Sequence, residues 1–423
     1  MKLEIRNIGR VEKADIEIQG ITVVAGENGT GKSTISKSMY SILEISNDSL
    51  QKAQAQKKRS MRSCSVSWGR RYLSYLNVTT SAFLKKLDDI SKEANGDSVV
   101  FIQEMKEYIK EKTPDRCWDE KEMEENIQIL FEKYNAIADR DLDYYNQYAA
   151  QMVIGEVFRN QVNCLKNDRE GIISCAGHGL NTRVTIQYQK ISELDMAYES
   201  VSIQPVYITT PDLMDAVGTY KKLYSAERSR TISYADAQLT KLLMEERNRI
   251  YFVAEEYNKI EEQKQQIQKL LQEVLEGEFY FDDGQLIYRD RWCDGNIELS
   301  NIASGMKIFL ILQSLVNNGV FLEHVCLIID EPETNLHPEW QLKLAHLLVL
   351  LHINLDIVIY INSHSPYFVR AIEYYADRYQ VLEKCNFYMM KKDLVTGMSQ
   401  SECVTDKLGV IYDKMAEPFN MIM

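Results

Sequence analysis

Two clusters of residues in this chain have the types and the spacing that handle phosphate. The first, Gly26-Glu27-Asn28-Gly29-Thr30-Gly31-Lys32-Ser33-Thr34, fits the pattern G-x-x-x-x-G-K-[ST]. In such a loop the glycines let backbone N–H groups close around a phosphate, Lys32 reaches the β- and γ-phosphates, and Ser33 ligates magnesium at a helix N-terminus. Gly26, Asn28, Gly29, Thr30, Gly31, Lys32, Ser33 and Thr34 are therefore the candidate nucleotide-contacting residues, with ATP and Mg2+ as the expected ligands. The second cluster, Val325-Cys326-Leu327-Ile328-Ile329-Asp330-Glu331-Pro332, is an apolar run that ends in two carboxylates. In α/β folds the carboxyl ends of strands deliver residues to the ligand crevice. Asp330 is expected to hold magnesium through water as the acidic partner of Ser33, and Glu331 to polarise the attacking water as general base. Turns favour Asp and Pro for other reasons, so it is the pairing with the phosphate loop that gives these carboxylates their chemistry.

The elements around these clusters have the periodicity needed to position them. Residues 3–8 and 14–19 alternate apolar with polar, the pattern of a half-exposed β-pair. Ile21-Thr22-Val23-Val24-Ala25 is a short β-branched run suited to a buried strand, and it feeds the phosphate loop; a helix to about Leu43 follows. In the last third, Gly305–Val316 reads as helix, Val325–Ile329 as buried strand, Pro338–Leu351 as helix with Pro338 at its start, Leu355–Ile361 as strand, and about Pro366–Tyr375 as helix. Buried strands between helices imply a parallel sheet covered on both faces. Strand character also occurs at Arg183–Tyr188 and Val201–Ile208. Apolar residues recur at three and four from Tyr234 to Leu275, which predicts a long amphipathic helix or a helical hairpin. Asp282-Asp283-Gly284 marks a turn inside a β-hairpin over Glu278–Arg291.

The expected organisation is an ATPase core in pieces: 1–45 with the phosphate loop, a helical insertion over 46–164, β segments over 165–233, a helical segment over 234–276, and the C-terminal part over 277–423. The insertion is inferred from a shift to Lys, Glu, Gln, Asn and Tyr with a single proline, Pro114.

Composition sets the outer limits. With 62 acidic against 49 basic residues the formal charge is −13, which argues against a chain that coats nucleic acid. No apolar run approaches the ~18–20 residues of a membrane helix, and the opening Met1-Lys2-Leu3-Glu4-Ile5-Arg6 lacks a signal peptide's apolar core, so the expected location is the cytoplasm. Eight cysteines lie singly, without Cys-x-x-Cys, and read as reduced thiols in packing roles. One dense basic run, Lys57, Lys58, Arg59, Arg62, Arg70 and Arg71 with Trp68 and Tyr72 interleaved, could grip phosphate backbones or form a solvated helix face. Arg228 and Arg230 are similarly ambiguous.

Asp330-Glu331-Pro332-Glu333-Thr334-Asn335-Leu336-His337-Pro338, then Asn362-Ser363-His364-Ser365-Pro366, with the opening Asn7-Ile8-Gly9, resembles the ABC-type ATPases of the RecF, SMC and OLD group. More narrowly it is similar to the stand-alone AAA-labelled ATPases of bacterial anti-phage systems. The resemblance covers about 1–45 and 180–420. It implies an α/β, ABC-type P-loop ATPase head, a mixed sheet plus an N-terminal antiparallel β-layer, with helical insertions. It also implies that Ala303-Ser304-Gly305-Met306-Lys307 stands where the group carries LSGGQ, with Ser304 and Gly305 capping the γ-phosphate bound to a second copy, so that two chains sandwich two ATP molecules. His364 is by resemblance the switch histidine that contacts the γ-phosphate, and His337 an interfacial or packing residue. Gln204 is the nearest candidate, by order, for the group's magnesium-sensing glutamine.

Only 59 residues follow His364, and they contain no Asp-x-Asp run suited to a two-metal nuclease, so a TOPRIM nuclease is not expected. Long coiled-coil arms are not expected either. The function expected is a Mg-dependent ATPase switch that forms a homodimer or higher homo-oligomer around ATP and controls a separate effector, a nuclease or toxin, in anti-phage defence. The alternative is a RecF-like ATPase clamp on DNA. A transporter's nucleotide-binding subunit and a P-loop kinase fit the motif order less well.

Overall fold

The structure, a computed structural model, describes residues 1–69, 72–76, 78–197, 203–214, 233–244, 265–275, 277–282, 285–292 and 295–417. In chain order the strands are β1 (Lys2–Ile8), β2 (Val11–Glu17), β3 (Ile21–Ala25), β4 (Gly171–Gly177), β5 (Leu180–Gln187), β6 (Lys190–Met196) and β7 (Gln204–Ile208). They continue with β8 (Gly277–Asp282), β9 (Gln285–Asp290), β10 (Asn296–Ile297), β11 (Val325–Asp330), β12 (Val358–Ser363), β13 (Cys385–Lys392) and β14 (Ser399–Cys403). β8, β9 and β10 make a small antiparallel sheet. The others form one sheet in the order β6-β5-β4-β1-β2-β14-β13-β3-β12-β11-β7.

Half of that sheet is an antiparallel wing, β6 to β2, and the other half is a parallel block, β13-β3-β12-β11-β7. The residue pattern explains the division. β3 and β11 are apolar almost throughout, so they are stable only where helices cover both faces. β1 alternates, burying Leu3, Ile5 and Ile8, as an outer wing strand can.

Period-2 alternation sorts the parallel block into two cores. Ile21, Val23, Ala25, Leu327, Ile329, Ile359, Ile361 and Phe387 pack with α2 (Ser304–Asn317), α3 (Pro338–Leu355) and α4 (Pro366–Arg378). Val24, Tyr207, Cys326, Ile328, Tyr360 and Tyr388 join the other core with Ile35, Met39, Tyr40, Ile42 and Leu43 of α1 (Lys32–Ser46). Here α1 denotes the helix after the phosphate loop, and α2 to α4 the first three α-helices of the C-terminal part in chain order.

The chain divides into two compact units. One comprises Met1–Asn47 and Ala150–Met423; the other is Asp48–Ala149. The second unit is helical, with helices Ser49–Gly69, Thr80–Ala94, Ser98–Lys112 and Glu120–Ala138 around Phe83, Leu87, Ile90, Phe101, Met105, Ile109, Ile127 and Leu130. Its edge falls at Ala149 rather than at the expected 164. The second half of the helix Leu142–Phe158 packs Ala150, Val153, Ile154 and Val157 into the core of the first unit, and their three-and-four spacing is the reason. In the expected helical segment, Tyr234–Met244 and residues 265–272 are helical, while 245–264, Arg228 and Arg230 lie outside the described residues. The pair β13–β14 is not expected from periodicity.

Candidate active site

Register brings the site together. Ala25 at the end of β3 pairs with Ser363 of β12, and Asn362 pairs with Asp330 of β11. Three adjacent parallel strands thus end at one level, and each hands over a motif: residues 26–34, Glu331–Glu333 and His364.

Between β3 and α1 the loop turns through Gly31 at φ +91°, where a Cβ would come 2.8 Å from Val11 Cγ2. Both the left-handed backbone and the space require glycine. Thr30 is buried and its hydroxyl donates to the Glu27 carbonyl at 2.8 Å. Lys32 opens α1 and folds back, its Nζ donating to the carbonyls of Gly26 (2.8 Å) and Glu27 (3.1 Å). The same Nζ lies 3.9 Å from Glu331 Oε1. Burial lowers the Lys32 pKa, and the carboxylates of Glu331, Glu333 and Asp330 oppose that shift. The N-terminus of α1 has no side-chain cap and no acidic residue in its first turn, so the positive end of its dipole is left for an anion.

Gly29, Gly31, Lys32, Ser33, Thr34 and Glu331 line a cavity of about 540 Å3, together with Arg10, Asn163, Leu165, Lys166 and Met398. That volume is in the range of small-molecule sites. Uncapped helix amides, a buried lysine and a hydroxyl at the helix start suit a nucleotide phosphate with its magnesium. No cluster of three metal-ligating side chains occurs among the described residues.

Asp330 is clamped rather than open. Its Oδ1 accepts from Ser36 Oγ and from Asn362 Nδ2 at 2.6 Å, and its Oδ2 accepts from Tyr207 OH at 2.7 Å. Burial, then Asp330 itself, pushes the Tyr207 phenol well above its ordinary range, so it stays a donor. Tyr360 OH donates to Asn362 Oδ1 at 2.8 Å and fixes the amide orientation. Glu331 sits at φ +47°, an uncommon conformation for a non-glycine residue, and its N–H donates to the Asn362 carbonyl at 2.9 Å. Its Oε1 lies 3.5 Å from His364 Nδ1. Glu333, by contrast, is buried. Its Oε1 accepts from Ser363 Oγ (2.6 Å), His364 N–H (2.8 Å) and Ser365 N–H (3.1 Å).

Lys32, Glu331 and His364 thus meet, and Ser33 and Thr34 line the cavity beside them. Asn28 is exposed on the loop and Gly26 is buried at its base. Ser304 and Gly305 do not line this cavity; they open α2, and a Cβ on Gly305 would meet the Asn335 carbonyl oxygen at 2.7 Å. The residue beside Asp330 on α1 is Ser36, one helical turn beyond Ser33.

One expectation is corrected, and the basic run left open in the sequence is described. Gln204 pairs with Val325 at the start of β7, the end of the sheet away from Asp330, and at about 3.3 Å per residue it cannot reach the site. From that strand it is Tyr207 that does. In the basic run, Tyr72 is buried, Trp68 stacks on Tyr72 and Phe83 at 4.5 and 5.9 Å, and Lys57 Nζ donates to the Ala138 and Arg140 carbonyls. These side chains pack the helical unit. Lys58, Arg59 and Arg62 are exposed, and Arg70 and Arg71 lie outside the described residues. His337 caps α3, its Nδ1 accepting from Glu339 N–H at 3.4 Å.

Residues 1–369 match the family described as AAA ATPase domain. The chain belongs to that family. This AAA-family chain is therefore an ATPase domain, here an α/β fold with its phosphate loop between β3 and α1. Among solved structures it is similar to an SMC head bound to the C-winged helix domain of ScpA, with 9% identity and a TM-score of 0.46 over 97% of this chain and 98% of that one. It is also similar to the SMC head domain from Thermotoga maritima, with 10% identity and a TM-score of 0.37 over 95% and 98%. A third is the Smc head domain with an extended coiled coil bound to the C-terminal domain of ScpA derived from Pyrococcus furiosus, with 9% identity and a TM-score of 0.41 over 97% and 98%. No curated protein matches significantly. No helix among the described residues is long and apolar enough to cross a membrane.

Ser36, Tyr207, Asn362 and Glu333 were not among the candidates from sequence. Their part comes from long-range contacts, and only the Asn-Ser-His and Asp-Glu-Pro-Glu runs could have pointed to two of them.

Proposed function

We propose that the chain is a Mg-dependent ATPase switch that closes with a second copy around two ATP molecules and controls a separate effector, a nuclease or toxin, in anti-phage defence in the cytoplasm. The observation that carries the catalytic part is the meeting of Lys32, Glu331 and His364 at the ends of β3, β11 and β12. Lys32 binds the β- and γ-phosphates, exchanging its carbonyl partners for phosphate oxygens. Ser33, with Asp330 acting through water, would hold magnesium, which would supply neutralisation of the phosphate charge. Glu331 orients the attacking water and takes its proton, and His364 faces the γ-phosphate.

Support for a sandwich comes from Ser304 and Gly305. They start a helix without a side-chain cap and lie outside the chain's own nucleotide cavity, so a second copy's γ-phosphate is the anion they suit. The DNA-clamp alternative loses ground, because the aromatic residues interleaved in the basic run pack inside the helical unit.

Turnover and binding test this directly. Lys32→Ala is expected to abolish binding of a fluorescent ATP analogue, whereas Glu331→Gln retains binding and slows phosphate release about a hundredfold or more. Parental phosphate release by Glu331→Gln would remove Glu331 from the base role.

A further inference from the structure

Glu333 is the most unusual carboxylate in the molecule. The chain reverses after β11, with Glu331 at φ +47° and Thr334 N–H donating to the Glu331 carbonyl at 3.0 Å, and this carries the Glu333 side chain back into the protein. Its side chain is 3% exposed. One oxygen, Oε1, is held by three consecutive residues, Ser363, His364 and Ser365, that bracket the switch-histidine position. The same oxygen lies 3.6 Å from His364 Nδ1, on which Glu331 Oε1 also closes at 3.5 Å. The other oxygen, Oε2, is buried and makes no hydrogen bond among the described residues.

Anchoring alone does not account for an acid here. A neutral amide carbonyl offers the same acceptor to the Ser363, His364 and Ser365 donors without burying a charge, and a buried carboxylate with an unpaired oxygen is costly. Burial accordingly raises the Glu333 pKa, against the donors and His364, which lower it. What the acid offers and the amide does not is a strong attraction for a ring N–H. A ring nitrogen facing two carboxylate oxygens is favoured as the protonated one, which would leave the opposite nitrogen for the ligand. Glu331 faces both Lys32 and the cavity, whereas Glu333 contacts only the histidine segment among the contacts described above.

From the approach of both carboxylates to Nδ1 at 3.5 and 3.6 Å and the anchoring of residues 363–365, we infer that Glu333 is a positioning residue for His364, holding the imidazole in its Nδ1–H form and in one orientation beside Glu331. This rests on the reading of the site as one that hydrolyses ATP, and it adds to that site a buried partner that sets the histidine's working form.

The test uses the full chain with Glu333→Gln, His364→Ala and the double variant. The amide keeps the carbonyl acceptor that anchors residues 363–365, so the loop is retained. Ring-15N-labelled histidine spectra, assigned with His364→Ala, are expected to show an Nδ1-protonated His364 in the parent and a change of tautomer in Glu333→Gln. Identical His364 signals in the two proteins would overturn the inference, whatever the turnover. In steady-state assays Glu333→Gln is expected to lower kcat about tenfold or more with KM within about twofold, the behaviour of a lost orienting group. Adding it to His364→Ala is expected to cost nothing further; losses that multiply would make the two residues independent and also overturn it. If Lys32→Ala left phosphate release intact, the ATPase reading would fail instead, and the ring spectra would still decide the role of Glu333.

Discussion

Lys32 and Glu333 are both ionisable groups with almost no exposure, and both lie against Glu331 or His364. Burial works against the charge on each, lowering one pKa and raising the other, so the site holds unfavourable charge in readiness for a ligand. For Glu333 the consequence is a sign that can be measured. With its folded pKa above the ordinary 4.5, the folded chain binds this proton more tightly than the unfolded chain, and the associated stability falls as pH rises through that interval. Glu333→Gln removes the term. Without nucleotide, the variant's melting temperature relative to the parent is expected to be most favourable near pH 8, with the advantage shrinking as pH is lowered towards 4.5; an advantage that grows on acidification would reverse the sign. At this scale the sequence was informative wherever residue type alone signals chemistry. Gly31, Lys32, Asp330, Glu331 and His364 are legible as candidates, and the fold places Lys32, Glu331 and His364 3.9 and 3.5 Å apart in turn. Ser36, Tyr207 and Asn362 were not legible, because an ordinary hydroxyl or amide acquires its role only through a contact with Asp330 across hundreds of residues or between neighbouring strands.

Among the elements, the parallel block carries the precision of the site, since its register decides which residues share a level. Leu327 is fully buried in β11 between two strands, and Leu327→Ala is expected to destabilise the chain by about 2–5 kcal/mol in urea unfolding, by loss of burial plus the cavity left behind. α2 makes a sharper case. A Cβ on Gly305 would lie 2.7 Å from the Asn335 carbonyl oxygen and 3.1 Å from Leu336 Cδ2, so Gly305→Ala forces the segment after Glu333 to shift. A cost of about 1–3 kcal/mol is expected by denaturant unfolding, with binding of ATP by the separate chain unaltered. Loss of binding in that variant would tie Gly305 to the chain's own nucleotide instead. Apolar runs made β3, β11 and β12 legible, and Pro338 and Pro366 at helix starts made α3 and α4 legible. The segment Ala150–Phe158 was placed with the insertion although Ala150, Val153, Ile154 and Val157 recur at three and four and pack into the core of the first unit. β13 was not expected, although Phe387, Tyr388, Met389 and Met390 form a buried apolar run like those of β3 and β11.

For the whole molecule the central claim is that ATP brings two chains together. The compact unit Met1–Asn47 with Ala150–Met423 contains Lys32, Asp330, Glu331 and His364, and it also contains Ser304 and Gly305, which do not line the cavity of Lys32. The unit Asp48–Ala149 has its own core. Net charge and mean composition were enough to disfavour a chain that coats nucleic acid, but oligomeric state is a property of surface complementarity and is not written in any local pattern. The most direct measurement is the light-scattering mass of purified Glu331→Gln with and without ATP and magnesium. A mass that doubles from monomer to dimer on adding both is the predicted result; a monomer in both conditions would contradict the sandwich and the role given to Ser304 and Gly305.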